Sequence, residues 1–103
     1  MSERPEVEVL VTDNPAESQY EAHLNGELAG SLMYRKLPGG GGLVLLHTEV
    51  EDGFEGHGVG GRLVAGALDD VRERGLTVTV YCRFANAYIQ RHPEYADLVA
   101  AQS

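Results

Sequence analysis

The sequence has few of the residues that hold small chains together by covalent or metal bonds. Its 103 residues include a single cysteine, Cys82, and no tryptophan. One cysteine excludes an internal disulfide and any metal site built from several cysteines. The four histidines show no spacing typical of metal ligands: His23, His47, His57 and His92. We therefore predict that the protein needs no metal and folds around a hydrophobic core.

Basic residues and long apolar runs are also scarce. Eight Lys and Arg against sixteen Asp and Glu give a net charge of −8, which disfavours binding to nucleic acid or anionic membranes. No apolar run reaches the roughly 18 residues of a membrane span. The charged first six residues, MSERPE, do not resemble a signal peptide. These features predict a cytoplasmic protein without nucleic-acid or membrane partners, forming a single domain over residues 1–103.

The first third of the chain has the pattern of three strands. Apolar residues alternate in Val7–Thr12 and again in Ser18–Leu24, as in strands with one buried face. Asn25-Gly26 is a strong signal for a tight hairpin, because both positions of a type I′ turn need a positive φ. Glu27–Leu37 is then the returning strand. Pro38 and the glycines that follow predict a flexible loop.

The remaining two thirds alternate between apolar strands and helices. Leu43–Val50 is a continuous apolar run, typical of a central strand covered on both faces. Helical spacing of apolar residues follows from Val59 to Val71, with Gly75 as terminator. Leu76–Cys82 predicts a second core strand. A short helix over 84–91 should end at His92-Pro93, and 97–101 could add a last turn. The predicted fold is a mixed α/β sandwich of order β-β-β-β-α-β-α.

The segment Glu55–Leu63 opens the first helix and contains four glycines. Such a segment exposes backbone N–H groups at a helix N-terminus, where they can bind phosphate or pyrophosphate. Its glycine spacing matches the dinucleotide fingerprint, but Glu51–Glu55 separate it from the strand, and no acid follows about 20 residues later. The Gly-Lys-Ser/Thr of an ATP-binding loop is also missing. The alternative interpretation is that the glycines only shape a turn.

The order of these elements resembles the GNAT superfamily of acetyl-CoA-dependent N-acetyltransferases. The residues His47-Thr48-Glu49-Val50, Gly58-Val59-Gly60, Cys82 and His92-Pro93-Glu94-Tyr95 are similar to those of its small single-domain members. The resemblance spans roughly 43–99. It implies transfer of an acetyl group from acetyl-CoA to an unidentified amine, on a small molecule or a protein, by a monomer or homodimer.

The resemblance also implies positions for the coenzyme. Its pyrophosphate would bind the loop from Gly56 to Gly61, and the pantetheine arm would contact Asn86. The implied coenzyme-binding residues are Thr48, Val50, Gly56, His57, Gly58, Val59, Gly60, Gly61 and Asn86. The other interpretation of Asn86 is a residue of the helix N-cap region.

Two features depart from the family pattern. Glu55 stands where the family's loop usually begins with Arg or Gln, and an acid there repels a pyrophosphate unless it points away. Only Asp13–Glu17 connects the first two strands, whereas most members have one or two helices there that build the acceptor pocket. An open, shallow acceptor side follows, suited to a protruding amine or to a pocket completed by a second subunit.

Acetyl transfer to an amine needs a proton acceptor, a donor to the oxyanion and a proton for the departing thiolate. Glu49 and His47 share a face near the end of the central strand and are candidate proton acceptors. Cys82 is a candidate nucleophile, a site-lining residue or a buried small hydrophobe. Tyr88 is the nearest match to the family's thiolate-protonating tyrosine, or a core aromatic.

Two other functions are compatible with the sequence. The chain could bind CoA or acyl-CoA without efficient transfer, as a sensor or interaction domain, and Glu55 and the reduced acceptor side favour that alternative. A structural interaction domain, in which the glycines only form a turn, is the remaining alternative.

Overall fold

The computed structural model describes residues 8–100, which form one mixed sheet with helices packed against it. The elements are β1 (Val9–Asn14), β2 (Gln19–Leu24), β3 (Glu27–Lys36), β4 (Gly42–Val50), α1 (Val59–Glu73), β5 (Thr77–Val80), α2 (Arg83–Arg91) and a 3₁₀ helix (Pro93–Leu98). This order confirms the predicted β-β-β-β-α-β-α arrangement. The predicted start of the first strand, Val7, and the end of the last turn, Ala101, lie outside the described residues.

The five strands lie in the order β1-β2-β3-β4-β5. The first four are antiparallel neighbours, and β5 pairs in parallel with β4. The predicted hairpin turn is present, with φ values of 53° at Asn25 and 85° at Gly26. Residues 15–18 alone connect β1 to β2, so no helix lies between these two strands, as predicted.

Helix α1 covers one face of the sheet and buries the predicted apolar stripe. The stripe consists of Val59, Leu63, Val64, Ala67, Leu68 and Val71. It packs on the core-facing side chains of the strands, which include Tyr20, Leu32 and Leu45. The helix ends where Gly75 takes a φ of 71°, a conformation that glycine adopts without steric cost. The opposite face of the sheet carries no helix among the described residues.

Two predictions about the second half need correction. Cys82 does not end β5, which stops at Val80; it is the N-cap residue of α2. The last turn covers Pro93–Leu98 and not 97–101, because proline has a φ preset for a first helical position. Tyr95 of this turn packs against the core and donates a hydrogen bond to Asp69 of α1 at 2.8 Å.

A polar cluster joins three strands to α1 at the edge of the core. The Tyr20 hydroxyl donates to Asp70 at 2.7 Å, and the Tyr34 hydroxyl donates to Asp13 at 2.6 Å. Arg74 bridges the two carboxylates, at 2.7 Å from Asp13 and 3.2 Å from Asp70. Hydrogen bonds to charged groups stabilise folded proteins by about 1.5–3 kcal/mol. The cluster thus ties β1, β2 and β3 to the C-terminal end of α1.

Alkaline pH is expected to destabilise the protein through these tyrosines. Burial, with hydrogen bonding to a carboxylate, raises the pKa of Tyr20 and Tyr34 above the ordinary 10.0. The same causes raise the pKa of Tyr95 to about 12. Because the folded-state values are the higher ones, this stabilisation is complete below pH 10 and is lost as the pH rises through them. Urea unfolding between pH 7 and about 11.5 should show the loss, and it should be smaller in a Tyr20→Phe/Tyr34→Phe variant. An equal loss in both proteins would contradict this assignment.

Candidate functional site

The glycine loop ends in an uncapped helix N-terminus. Gly58 is the N-cap residue of α1, with a φ of 73°, and no side chain of the described residues caps it. The first turn of α1 contains no acidic residue. The Arg62 N–H donates to the Gly58 carbonyl at 3.1 Å, so the helical bonds begin at Arg62. Since the N–H groups before it have no partner in the helix, they are available to an anion.

A cavity of about 290 Å³ lies over this helix N-terminus. It is lined by Val50, Phe54, Glu55, Gly56, Gly58, Val59, Gly60, Gly61 and Phe84. We call it the loop cavity. His57 is exposed and does not line it. The Glu55 carboxylate accepts a hydrogen bond from the Gly53 N–H at 3.0 Å, which holds this acid within its own turn.

The glycines of the loop serve different purposes. Gly56 and Gly58 have φ values of 84° and 73°, and a Cβ on either would meet nothing within 4 Å. They are therefore needed for the backbone turn. Gly60 lies inside α1, and a Cβ there would come within 2.8 Å of the Phe84 ring. A Cβ added to Gly61 would lie 3.5 Å from its nearest neighbour, an atom of the Tyr88 ring, which is an ordinary contact distance.

A β-bulge in β4 determines which side chains face α1. The register passes from Tyr34↔Leu45 to Met33↔His47, so Leu46 is the extra residue without a partner. An extra residue shifts the alternation of side chains by one position. As a result, Thr48 pairs opposite the buried Leu32 and lies on the helix-facing side. His47 and Glu49 are exposed on the uncovered face.

A second cavity lies between the ends of β4 and β5. The two strands pair only as far as Leu45↔Val80 and then separate. The space between them has a volume of about 340 Å³ and is lined by Leu46, His47, Thr48, Tyr81, Cys82, Arg83 and Phe84. We call it the strand cleft. Beyond Leu45, the described strands offer β4 no partner on this side, so its backbone groups face the cleft.

Cys82 is held at the base of the strand cleft. It is 4% exposed, and its Sγ lies 3.1 Å from the Thr48 hydroxyl. The Ala85 N–H of the first turn of α2 also donates to Sγ, at 3.4 Å. The thiol therefore caps a helix and contacts β4 at once, which fixes its position in the cleft.

The structure brings part of the predicted site together. His47, Thr48 and Cys82 line the strand cleft, and Val50 with most of the predicted loop residues lines the loop cavity. Four predicted residues line neither of the two cavities: Glu49, His57, Asn86 and Tyr88. Glu49 nevertheless shares the exposed face of His47.

Asn86 and Tyr88 both lie on α2, beyond its first turn. Asn86 is exposed, and its N–H donates to the Cys82 carbonyl as an ordinary helical bond. The Tyr88 ring stacks on His92, with ring centres 4.1 Å apart, and would lie 3.5 Å from a Cβ added to Gly61 of α1. Burial raises the pKa of Tyr88 above the ordinary 10.0.

The family comparison agrees with this architecture. The family described as GCN5-related N-acetyl-transferase matches residues 19–98 of the sequence. The chain belongs to this family. Among its relatives, Protein NATD1 of Xenopus tropicalis is 28% identical over 89 residues, which cover 86% of this chain and 82% of the relative. Protein NATD1 of Mus musculus is 31% identical over 75 residues, which cover 73% and 68%.

Two solved structures of acetyltransferases or acetyltransferase-like proteins share the fold. A GCN5-like protein from Staphylococcus aureus superposes with a TM-score of 0.65 at 21% identity, covering 91% of this chain and 90% of that one. The ribosomal-protein-alanine N-acetyltransferase of Brucella melitensis gives a TM-score of 0.55 at 20% identity, covering 82% and 63%. At these identities the likeness concerns the fold, and it confirms the predicted minimal GNAT architecture.

Sequence reasoning missed several residues that line the two cavities. Phe84 lines both cavities, Phe54 lines the loop cavity, and Leu46 and Tyr81 border the strand cleft. One signal was available, since Phe84 and Tyr88 are spaced i, i+4 and so share a face of α2. Within residues 8–100, no helix is long and apolar enough to cross a membrane, and no cluster of His, Cys, Asp or Glu could hold a metal ion.

Proposed function

We propose that the protein is an acetyl-CoA-dependent N-acetyltransferase that acetylates an amine at the uncovered face of the sheet. The observation that carries this proposal is the adjacency of the loop cavity and the strand cleft, which share Phe84 as a lining residue. The first offers free N–H donors, and the second is an opening between separated strands. A ligand with a pyrophosphate at one end and an extended amide chain at the other fits this arrangement, with the pyrophosphate in the loop cavity and the chain in the strand cleft.

The loop supports binding of the pyrophosphate through its backbone. The N–H groups at the start of α1 point away from the helix, and the positive end of the helix dipole favours an anion there. Gly56 and Gly58 place no side chain over these donors. Val59 and Val50 supply apolar walls. The net charge of −8 opposes anion binding only weakly, because distant surface charges are screened by salt.

Replacing Glu55 with glutamine is expected to tighten acetyl-CoA binding by about three- to tenfold at low salt. Glutamine keeps an acceptor for the Gly53 N–H and removes a negative charge that lines the loop cavity. Calorimetric titration with acetyl-CoA measures the change, and the gain should shrink as salt is added. Glu27→Gln, at the hairpin turn, removes the same charge elsewhere and should leave the affinity unchanged. Weaker binding by Glu55→Gln would contradict this prediction and show that the Glu55 carboxylate stabilises the loop conformation that binds the coenzyme.

The strand cleft supports binding of the pantetheine arm. Among residues 8–100, no strand neighbours the β4 backbone beyond Leu45 on this side, and an extended chain with amide groups can pair with such an edge. Thr48 and Cys82 form the base of the cleft. We keep Asn86, which is exposed on α2 but lines neither cavity, as a proposed further contact of the arm.

The proposed transfer uses the thioester of acetyl-CoA as an activated acetyl donor. The amine nitrogen attacks the carbonyl carbon, the C–S bond breaks, and the thiolate leaves with a proton. Glu49 and His47 accept the proton of the amine, directly or through water, because both are exposed on the face from which an acceptor can approach. Tyr88 stays our candidate for the proton that reaches the thiolate, through water.

Cys82 is proposed to line the site and not to attack the thioester. Its sulfur is buried and already contacts the Thr48 hydroxyl and the Ala85 N–H. Incubation with acetyl-CoA without amine should therefore give no acetylated Cys82 peptide in mass spectrometry. Cys82→Ala should keep its activity to within about tenfold, since a lost nucleophile would cost far more. An acetylated Cys82 that is consumed on adding amine would contradict sequential transfer.

The function is tested by calorimetry with acetyl-CoA and by a screen of amines for thiol release. Binding in the micromolar to millimolar range and amine-dependent thiol release are expected. No binding at millimolar acetyl-CoA by the folded protein would refute the proposal. Binding of CoA without thiol release by any amine would favour the alternative, a CoA-binding module, which the short 15–18 connection and the open acceptor side make reasonable.

A further inference from the structure

Phe84 lies between the loop cavity and the strand cleft. Its side chain is 43% exposed although it is a large aromatic in the first turn of α2. It is the residue that lines both the loop cavity and the strand cleft. Its ring rests on Gly60 so closely that three ring carbons would lie 2.8–3.5 Å from an added Cβ. The absence of a side chain at Gly60 therefore makes room for this ring.

We propose that Phe84 is a ligand-contacting residue that directs the pantetheine arm of the coenzyme from the loop cavity into the strand cleft. The inference rests on the proposed function, because it requires acetyl-CoA to use both cavities. A chain that joins them passes the Phe84 ring, and the ring gains contact area that is now open to solvent. Gly60 in turn serves to seat this ring, and the positive-φ glycines Gly56 and Gly58 serve the pyrophosphate.

The geometry separates this role from an ordinary core contact. Residues of α2 that pack in the core, such as Ala85 and Ile89, are buried. Phe84 instead keeps nearly half of its surface free. The neighbouring aromatic, Tyr88, stacks on His92 and lines neither cavity. Phe84 is thus the α2 aromatic positioned to contact a ligand directly, whereas the proton proposed to come from Tyr88 passes through water.

The first experiment compares acetyl-CoA with its nucleotide half, 3′-phosphoadenosine 5′-diphosphate, by calorimetry. Phe84→Ala should weaken acetyl-CoA binding about tenfold, as expected for the loss of an aromatic contact, and should leave binding of the nucleotide half unchanged. Phe84→Tyr keeps the ring and should restore acetyl-CoA binding. Leu28→Ala removes a side chain of similar exposure, 40%, that lines neither cavity, and should change neither affinity.

The second experiment couples Phe84 to Gly60. Gly60→Ala should displace the ring and weaken acetyl-CoA binding in the wild-type background, but should add little in the Phe84→Ala background. The chain contains no tryptophan, so Phe84→Trp places a single indole at the proposed contact. Its fluorescence should change more with acetyl-CoA than with the nucleotide half, because only acetyl-CoA has the arm that passes the ring.

The outcomes distinguish this inference from the proposed function. If the wild-type protein binds no acetyl-CoA, the proposed function fails, and the role of Phe84 fails with it. If acetyl-CoA binds and Phe84→Ala weakens neither ligand, or weakens both equally, only the role of Phe84 is refuted. Equal effects of Gly60→Ala in both backgrounds would show that Gly60 serves the pyrophosphate and not the ring.

Discussion

Replacing Gly58 with valine is expected to weaken acetyl-CoA binding at least 100-fold. Gly58 is the N-cap residue of α1 with a φ of 73°, and a Cβ at this position would project into open space. That space adjoins the free N–H groups to which we assign the pyrophosphate. A branched side chain there would keep an anion away from donors that must come within about 3 Å. The loss should appear in calorimetric titration with acetyl-CoA.

Backbone strain must be separated from lost contact in this experiment. A β-branched residue at positive φ is strained by about 1–3 kcal/mol wherever it occurs. Gly40 has a similar φ of 78° in the loop between β3 and β4, also with no atom within 4 Å of an added Cβ, and it does not line the loop cavity. Gly40→Val is therefore a matched control. Both variants should melt at similarly reduced temperatures, and only Gly58→Val should lose binding. Loss of binding in both would attribute the effect to strain.

The sequence predicted the elements of this fold that depend on local signals: the first strands, the hairpin turn and α1. Alternation predicted the first strands, Asn25-Gly26 predicted the hairpin, and the helical stripe ending at Gly75 predicted α1. Each signal depends on neighbours within a few residues, where backbone preferences and side-chain periodicity act directly. The apolar runs Leu43–Val50 and Leu76–Cys82 predicted the later strands, and the resulting order of strands and helices is what resembles the family.

The features that shape the site are not local. The bulge at Leu46 arises from how β3 and β4 pair, and neither strand alone shows it. The sequence pattern assigned Gly60 to the anion loop, whose cavity it lines, but did not show that a side chain at this position would meet the ring of Phe84, 24 residues later by the printed numbering. Cys82 looked like a strand residue, because the separation of β5 from β4 after Val80 depends on tertiary packing.

The bulge also connects the fold to the proposed chemistry. Without the extra residue, strict alternation along β4 would place His47 on the same face as Leu45, toward the core, and Thr48 on the opposite face. With it, Thr48 faces Cys82 at the base of the cleft. His47 and Glu49 face the side on which no described helix lies. One inserted residue thus separates the side of β4 that would hold the thioester from the side that an amine could approach.

The double replacement His47→Gln/Glu49→Gln is expected to lower kcat at least 100-fold with little change in the KM for acetyl-CoA. General bases contribute about 10²–10⁴-fold in rate, and the two side chains share the exposed face of β4 after the bulge. His47 also lines the strand cleft, whereas Glu49 does not. If they act together through water, each single replacement should lose less than the pair. Steady-state thiol release with the amine found by screening measures both constants.

The sheet offers a matched control for the carboxylate. Glu21 pairs across from Ser31, and Ser31 pairs across from Glu49, so the two acids occupy one row of the uncovered face. Glu21→Gln removes the same charge two strands away and should leave kcat nearly unchanged. If Glu21→Gln lowers the rate as much as Glu49→Gln, the acids act by attracting a cationic acceptor and not by accepting its proton. In that case KM for the amine should rise in both variants, which separates the two explanations because a lost proton acceptor lowers kcat instead.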